Sequence, residues 1–241
     1  MIGRAFALLL LLVATGCVTM GMGNVEKLGP EHRTLVVSVL GDNFQVESIG
    51  TTIFQVWRKT EDVSNWGVDD RIEALIQEEL TRSGRVSVIP FDTQQLRSTV
   101  GNVDTNDLTG GRKITEGMKA LTRLGRSAGA DSILLVSTSP SVDFFRKKYT
   151  IEGYGIYQSS SLGLRAAVTY VCLQIWLIDT DSGDDIARIQ RVRRSPRQEA
   201  DWLEESYQLS ETAWFEIRAG FEALLDATVR EGLEKLSLIQ R

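Results

Sequence analysis

The side chains able to do covalent, acid–base or metal chemistry are few, and their scarcity narrows the choices. The 241 residues hold 1 His, His32, so a Ser-His or Cys-His relay inside a domain has no imidazole to use. The 2 Cys, Cys17 and Cys172, are too few beside one His for a zinc site of the usual ligands. Adjacent carboxylates occur at Asp69 with Asp70 and at Glu204 with Glu205. Neighbours on a helix point to different sides, so neither pair converges as an acid and a base. The acidic stretch Asp179, Asp181, Asp184, Asp185 invites calcium. A calcium loop of the EF-hand kind needs Gly sixth and Glu twelfth, where Asp184 and Gln190 stand. Asp and Gly are ordinary turn residues, and a solvated turn explains the stretch. Thr109-Gly110-Gly111-Arg112-Lys113 lacks the spacing of a phosphate-binding P-loop and reads as a glycine-rich helix start. No enzyme activity, metal or cofactor is expected.

What remains is a charge cluster and a sulfur. Arg188, Arg191, Arg193, Arg194 and Arg197 crowd one short segment of a chain whose net charge is −5. Guanidinium forks suit carboxylate and phosphate, so these five are the candidate partner-binding residues. The competing use is an edge strand kept from aggregating by its charge. Lys119, Arg123 and Arg126 read as the wet side of an amphipathic helix. Tyr149, Tyr154, Tyr157, Tyr170 and Trp176 serve either as core or as a binding or oligomer surface. Cys172 sits in an apolar run, where a buried, inert thiol is usual.

Cys17 follows a different logic. Met1 to Cys17 reads MIGRAFALLLLLVATGC: a charged start at Arg4, an apolar run from Ala5 to Val13, then small residues. That is the order of a secretory signal, and the run is too short for a spanning helix, which needs about 20 apolar residues. Ala14-Thr15-Gly16 directly before Cys17 resembles the lipobox of bacterial lipoproteins, although Ala14 stands where a larger residue is usual. The resemblance implies a diacylglyceryl group on the Cys17 sulfur, cleavage before it and acylation of the new amine. Val18 in place of the Asp that retains enteric lipoproteins at the inner membrane implies the outer membrane, periplasmic face, with the inner membrane as the alternative. Residues 1–16 are thus expected to be a signal peptide. Residues 17–32, with Gly21, Gly23, Asn24, Gly29 and Pro30, are expected to be a lipidated, flexible tether.

Residues 33–241 then form one α/β domain, a mixed sheet with packed helices and a long hairpin. The composition is ordinary, 42% hydrophobic and 24% charged, and no basic field argues for nucleic acid. Strands are expected at 34–40, 50–58, 85–90 and 132–137. Helices are expected from Val68 to the Gly84 stop, with Ile72, Leu75, Ile76 and Leu80 inward, over 92–100, over 114–128 and over 210–236. Phe144 to Asp179 reads as a hairpin whose second arm alternates Val171, Leu173, Ile175, Leu177 against Tyr170, Cys172, Gln174, Trp176. An Arg-rich strand, 186–194, should be broken by Ser195-Pro196, and 202–207 should be helical.

Ser83-Gly84-Arg85-Val86, Ala128-Gly129-Ala130-Asp131 and Leu177-Ile178-Asp179 with Gly183 carry a second resemblance. In this order they are similar to the amino-terminal domain of the Tol-system propeller protein and its relatives. Those relatives include lipoprotein activators of penicillin-binding proteins and curli secretion-channel subunits. The resemblance implies a non-catalytic domain that binds an envelope protein or cell-wall partner, or forms a homo-oligomer. The alternatives are a curli-type channel subunit and, less consistent with the residues, a carboxylate-dependent envelope hydrolase.

Overall fold

A computed structural model describes residues 25, 28–50, 56–93, 97, 116–145, 149–161, 164–198 and 201–240. Cys17, the glycine-rich 109–113 stretch and most of 92–100 lie outside them.

The longest strand is β8, Leu164–Asp179, which pairs with three others. One edge is shared in sequence. Its first half pairs with β7, Thr150–Ser161, and its second half with β5, Ser132–Thr138, both antiparallel. The other edge carries β9, Asp185–Arg197. The sheet therefore forks. One branch continues from β7 to β2, Asn43–Ile49, and β3, Val56–Asp62; the other from β5 to β1, Arg33–Val39, and β4, Ser87–Val88. A three-residue strand, β6, Pro140–Val142, pairs with the start of β7. Parallel pairs (β1 with β4 and β5, β2 with β7) sit beside antiparallel ones, as the expected mixed sheet requires.

The alternation read along β8 sets the layers. Val171, Leu173, Ile175 and Leu177 point into the main core with α1, Val68–Ser83, and α3, Glu211–Lys235. Trp176 and Ile178 face α2, Glu116–Ser127, through Met118 and Leu121. Tyr170 and Cys172 join Tyr157 and Ile49 in a third cluster. Burial of each large apolar side chain contributes about 1.5–3 kcal/mol. Phe221 of α3 is fully buried, with rings of Tyr154, Trp66 and Phe44 at 4.7, 5.6 and 5.9 Å. Phe221→Ala should cost about 3–5 kcal/mol.

The helices start and stop for local reasons. Gly84, φ 64°, closes α1 with its N–H on the Leu80 carbonyl, where only glycine takes that backbone without strain. Ser210 caps α3 by accepting from the Ala213 N–H at 3.2 Å. Asp69, in the first turn of α1, accepts from Ser38 Oγ at 2.6 Å and from the Leu40 N–H at 2.8 Å. That carboxylate fastens the helix to the end of β1.

Four expectations change. Of the single strand read over 50–58, residues 51–55 lie outside the described residues and 56–58 begin β3, which pairs antiparallel with an unforeseen strand, β2. The polar spacing of Asn43, Gln45 and Glu47 hid β2, because Glu47 is buried beneath Arg58, its cross-strand partner. Ser195-Pro196 does not end β9, which runs to Arg197. Among the described residues no strand lies outside β9, and an edge strand tolerates a missing N–H. Residues 202–207 form no helix. The Gln158 amide takes both backbone groups of Leu203, at 2.8 and 2.9 Å, and holds the crossing segment to β7, after which the chain turns with the Tyr207 N–H on the Glu204 carbonyl. Finally, the end of the stretch read as tether packs on the domain. Val25 is buried in the main core, Leu28 lies against it, and His32 Nε2 meets Ser132 Oγ at 2.9 Å.

Candidate functional site

The arginine run occupies β9, and strand alternation divides it between two faces. Arg191 and Arg193 point toward α3, where both reach the Glu231 carboxylate, Arg193 at 3.3 Å. The approach is possible because Gly232 leaves room: a Cβ there would overlap Cδ1 of Ile175 and touch Arg191 Cγ. Arg191 is 5% exposed, so its charge is committed to the interior pair.

The other face of β9 is different. Arg188 lies over the Trp176 ring at 5.2 Å, with Asp185 at 3.7 Å. Arg194 lies over the Phe144 ring at 5.2 Å and donates to the Phe144 carbonyl at 3.4 Å. Phe145 stacks on Tyr157 with centroids 5.7 Å apart. Val192 and Phe145 are each more than one-third exposed. Arg194, Val192 and Phe144 share one face of β9, with Phe145 next along the chain. Arg197 ends the strand; burial pulls its guanidinium below the usual range, with Asp201 opposing. The five arginines thus do not form one patch. Arg191 and Arg193 brace α3, while Arg194 is presented outward among aromatics. The sequence reading missed Glu231, Phe144, Phe145 and Val192. The period of two along 186–194 was the signal that could have separated the faces.

Other candidates are engaged structurally. Asp69 is held by β1 as described. Asp70 pairs with Arg97 at 2.7 Å, and Glu73 accepts from the Ser38 N–H at 2.9 Å and pairs with Arg97 at 2.7 Å. Asp42, Asp69, Asp70 and Arg97 border a hollow of about 360 Å³ at the end of β1. Burial, then Asp69, raises the Asp42 carboxyl above its ordinary value. Glu204 and Glu205 lie in the crossing segment. In the acidic turn, Asp179 accepts from the N–H groups of Asp181 and Ser182 at 3.0 and 2.7 Å, which lowers its pKa against the effect of burial. Arg126 donates to the carbonyls of Thr180 and Asp181 at 2.7 and 3.0 Å, so α2 clamps that turn. Cys172 is fully buried, and burial pushes its thiol far above the usual range. Such a thiol is unreactive. The aromatics of the long hairpin, Tyr154, Tyr157, Tyr170 and Trp176, are core. Among the described residues most of that hairpin is covered on both faces.

A cleft of about 430 Å³ opens at the far side of the sheet, beyond β3. Trp66, Trp214 and Phe215 line it, and Glu61, Asp62 and Glu211 rim it. Phe215 is 71% exposed. Glu61 accepts from Tyr207 Oη at 2.6 Å and pairs with Lys59 at 2.7 Å, and those bonds outweigh burial to lower its pKa.

No family model and no curated protein matches the sequence. Among solved structures, a PelC dodecamer from Paraburkholderia phytofirmans is similar over 92% of this chain and 96% of that one, with 11% identity and TM-score 0.39. Lipoprotein GNA1162 from Neisseria meningitidis is similar over 80% and 96%, with 13% identity and TM-score 0.33. The LpoB C-terminal domain from Salmonella enterica is similar over 72% and 87%, with 12% identity and TM-score 0.28. Likeness at that level is loose and carries no functional inference.

Proposed function

We propose that the protein is a non-catalytic lipoprotein of a bacterial envelope. Lipid on Cys17 holds it at the periplasmic face of the outer membrane, and its domain binds or scaffolds an envelope partner. The order charged start, apolar run, small residues, Cys supports the anchor. The observation that carries the binding role is the outer face of β9, where Arg194 stands over Phe144 beside exposed Val192 and Phe145. A guanidinium held on an aromatic face and ringed by apolar groups combines the residue types that dominate binding surfaces. The carboxylates of α1, by contrast, spend their oxygens on backbone N–H groups and arginines, a structural use.

Anchoring keeps the domain near its partner, so modest affinity suffices. Replacing Val192 by Ser and Arg194 by Gln should move stability by less than about 0.5 kcal/mol, because both are exposed. Recovery of envelope components after cross-linking in cells should nevertheless fall. A folded double variant that recovers the same components in the same amount would remove β9 from the binding role.

A further inference from the structure

Two of the sheet's open edges, β9 and β3, match each other. Beyond β9 and beyond β3 no strand is paired among the described residues. Cross-strand registers connect these edges row by row. Glu61 of β3 is opposite Phe44, Phe44 opposite Tyr154, Tyr154 opposite Val171, and Val171 opposite Arg193 of β9. Four steps of about 4.8 Å separate the ends of that row, so Arg193 and Glu61 of one molecule cannot meet. Both point to the α3 face: Arg193 reaches Glu231, and Glu61 bonds Tyr207 beside the cleft that α3 borders.

We infer that the cationic edge of β9 pairs antiparallel with the acidic end of β3 in a second copy of this chain, extending the sheet head to tail. Strand directions permit it, since β9 runs parallel to β7 and β2 while β3 runs opposite to β2. At level register Arg193 faces Glu61 of the second copy; Pro196, which has no N–H to donate, ends the new ladder before Arg197 and Trp57. On the other face Arg194 lies opposite Thr60 and diagonal to Asp62. Cross-strand pairs of opposite charge are a favourable kind. The charges at the two edges are complementary beyond the pairs β3 already makes, Lys59 with Glu61 and Arg58 with Glu47. The single carboxylate of Glu231 serves both Arg191 and Arg193, while Glu61, Asp62 and Glu211 gather at the other edge. Such an interface is heterologous: each copy uses one edge and offers the other, so it builds a ring or a filament rather than a closed pair.

The test uses purified full-length protein in detergent, with Cys17→Ser in every chain so that no thiol at position 17 can cross-link. Arg194→Cys and Thr60→Cys are made as two separate chains and mixed under oxidising conditions. The mixture should give a disulfide-linked pair absent from either variant alone and from the parent with Cys17→Ser, which has only buried Cys172. A pair formed by Arg194→Cys alone would mean two β9 edges meeting, and would overturn the inference. Light scattering should show the parent as an assembly. Arg193→Glu and Glu61→Arg should each weaken it several-fold, and the two changes in one chain should restore it. A monomeric parent, or an assembly indifferent to both reversals, would also overturn it.

Discussion

Gly232 of α3 lies directly against Ile175 of β8: a Cβ built at 232 would overlap Cδ1 of Ile175 and would stand 3.6 Å from Arg191 Cγ. The long helix therefore seats itself on the sheet at the point where the Arg191–Glu231 pair forms. Gly232→Ala should gain about 1 kcal/mol of helix propensity and lose more to overpacking, which typically costs about 1–3 kcal/mol. Chemical denaturation should find the variant less stable than the parent, and Ile175→Val in the same chain should recover most of the loss. Gly220, in the same helix with open space around it, gives the contrast: Gly220→Ala should stabilise by up to about 1 kcal/mol. Equal effects at the two positions would mean that close packing at 232 is not the issue.

Glu47 makes a pH-dependent contribution of unusual sign. Burial raises its pKa above the ordinary 4.5, and the neighbouring Arg58 guanidinium only partly offsets that. A carboxyl with a raised folded-state pKa costs stability once it is ionised, above that pKa. Below the unfolded value both states are protonated and the cost is gone. Glu47→Gln should therefore be more stable than the parent at pH 7, and the advantage should shrink to nothing as pH falls below about 4.5. Melting curves of the two proteins that stay parallel across this range would contradict the assignment.

Asp69 works in the opposite sense, as a fastener. It accepts from Ser38 Oγ and from the N–H groups of Leu40 and Gly41, the last at 3.2 Å. Asp69→Ala strips these donors of their acceptor and should cost about 1–3 kcal/mol. Hydrogen exchange at Leu40 and Gly41 should speed up ahead of the rest of the sheet. Unchanged exchange there would show that the carboxylate is not what holds β1 to α1.

Much of this architecture was legible because single periodicities told the truth. The α1 face of Ile72, Leu75, Ile76 and Leu80 and the two faces of β8 follow their 3.6 and 2 spacings into the core as read. The failures share a physical cause, a tertiary partner invisible in the local sequence. Glu47 disguised β2 because its partner Arg58 lies on another strand. Leu203 left the helical pattern because Gln158, 45 residues away, claims its backbone. The candidate site was legible in kind and not in arrangement. Five arginines marked β9, but only the fold shows that Glu231 takes two of them and that Phe144 holds Arg194 outward. Cys17, the residue on which the envelope reading turns, lies outside the described residues, and its role rests on the order of its neighbours.

That reading is tested most directly by metabolic labelling with a palmitate analogue in cells expressing the parent or Cys17→Ala. The thioether needs the sulfur, so the account predicts label on the parent and none on the variant. It also predicts that the parent stays with membranes through a high-salt wash and leaves with detergent, because burial of acyl chain contributes about 0.8 kcal/mol per CH₂ and is indifferent to salt. Equal labelling of the two proteins, or release of the parent by salt alone, would contradict it.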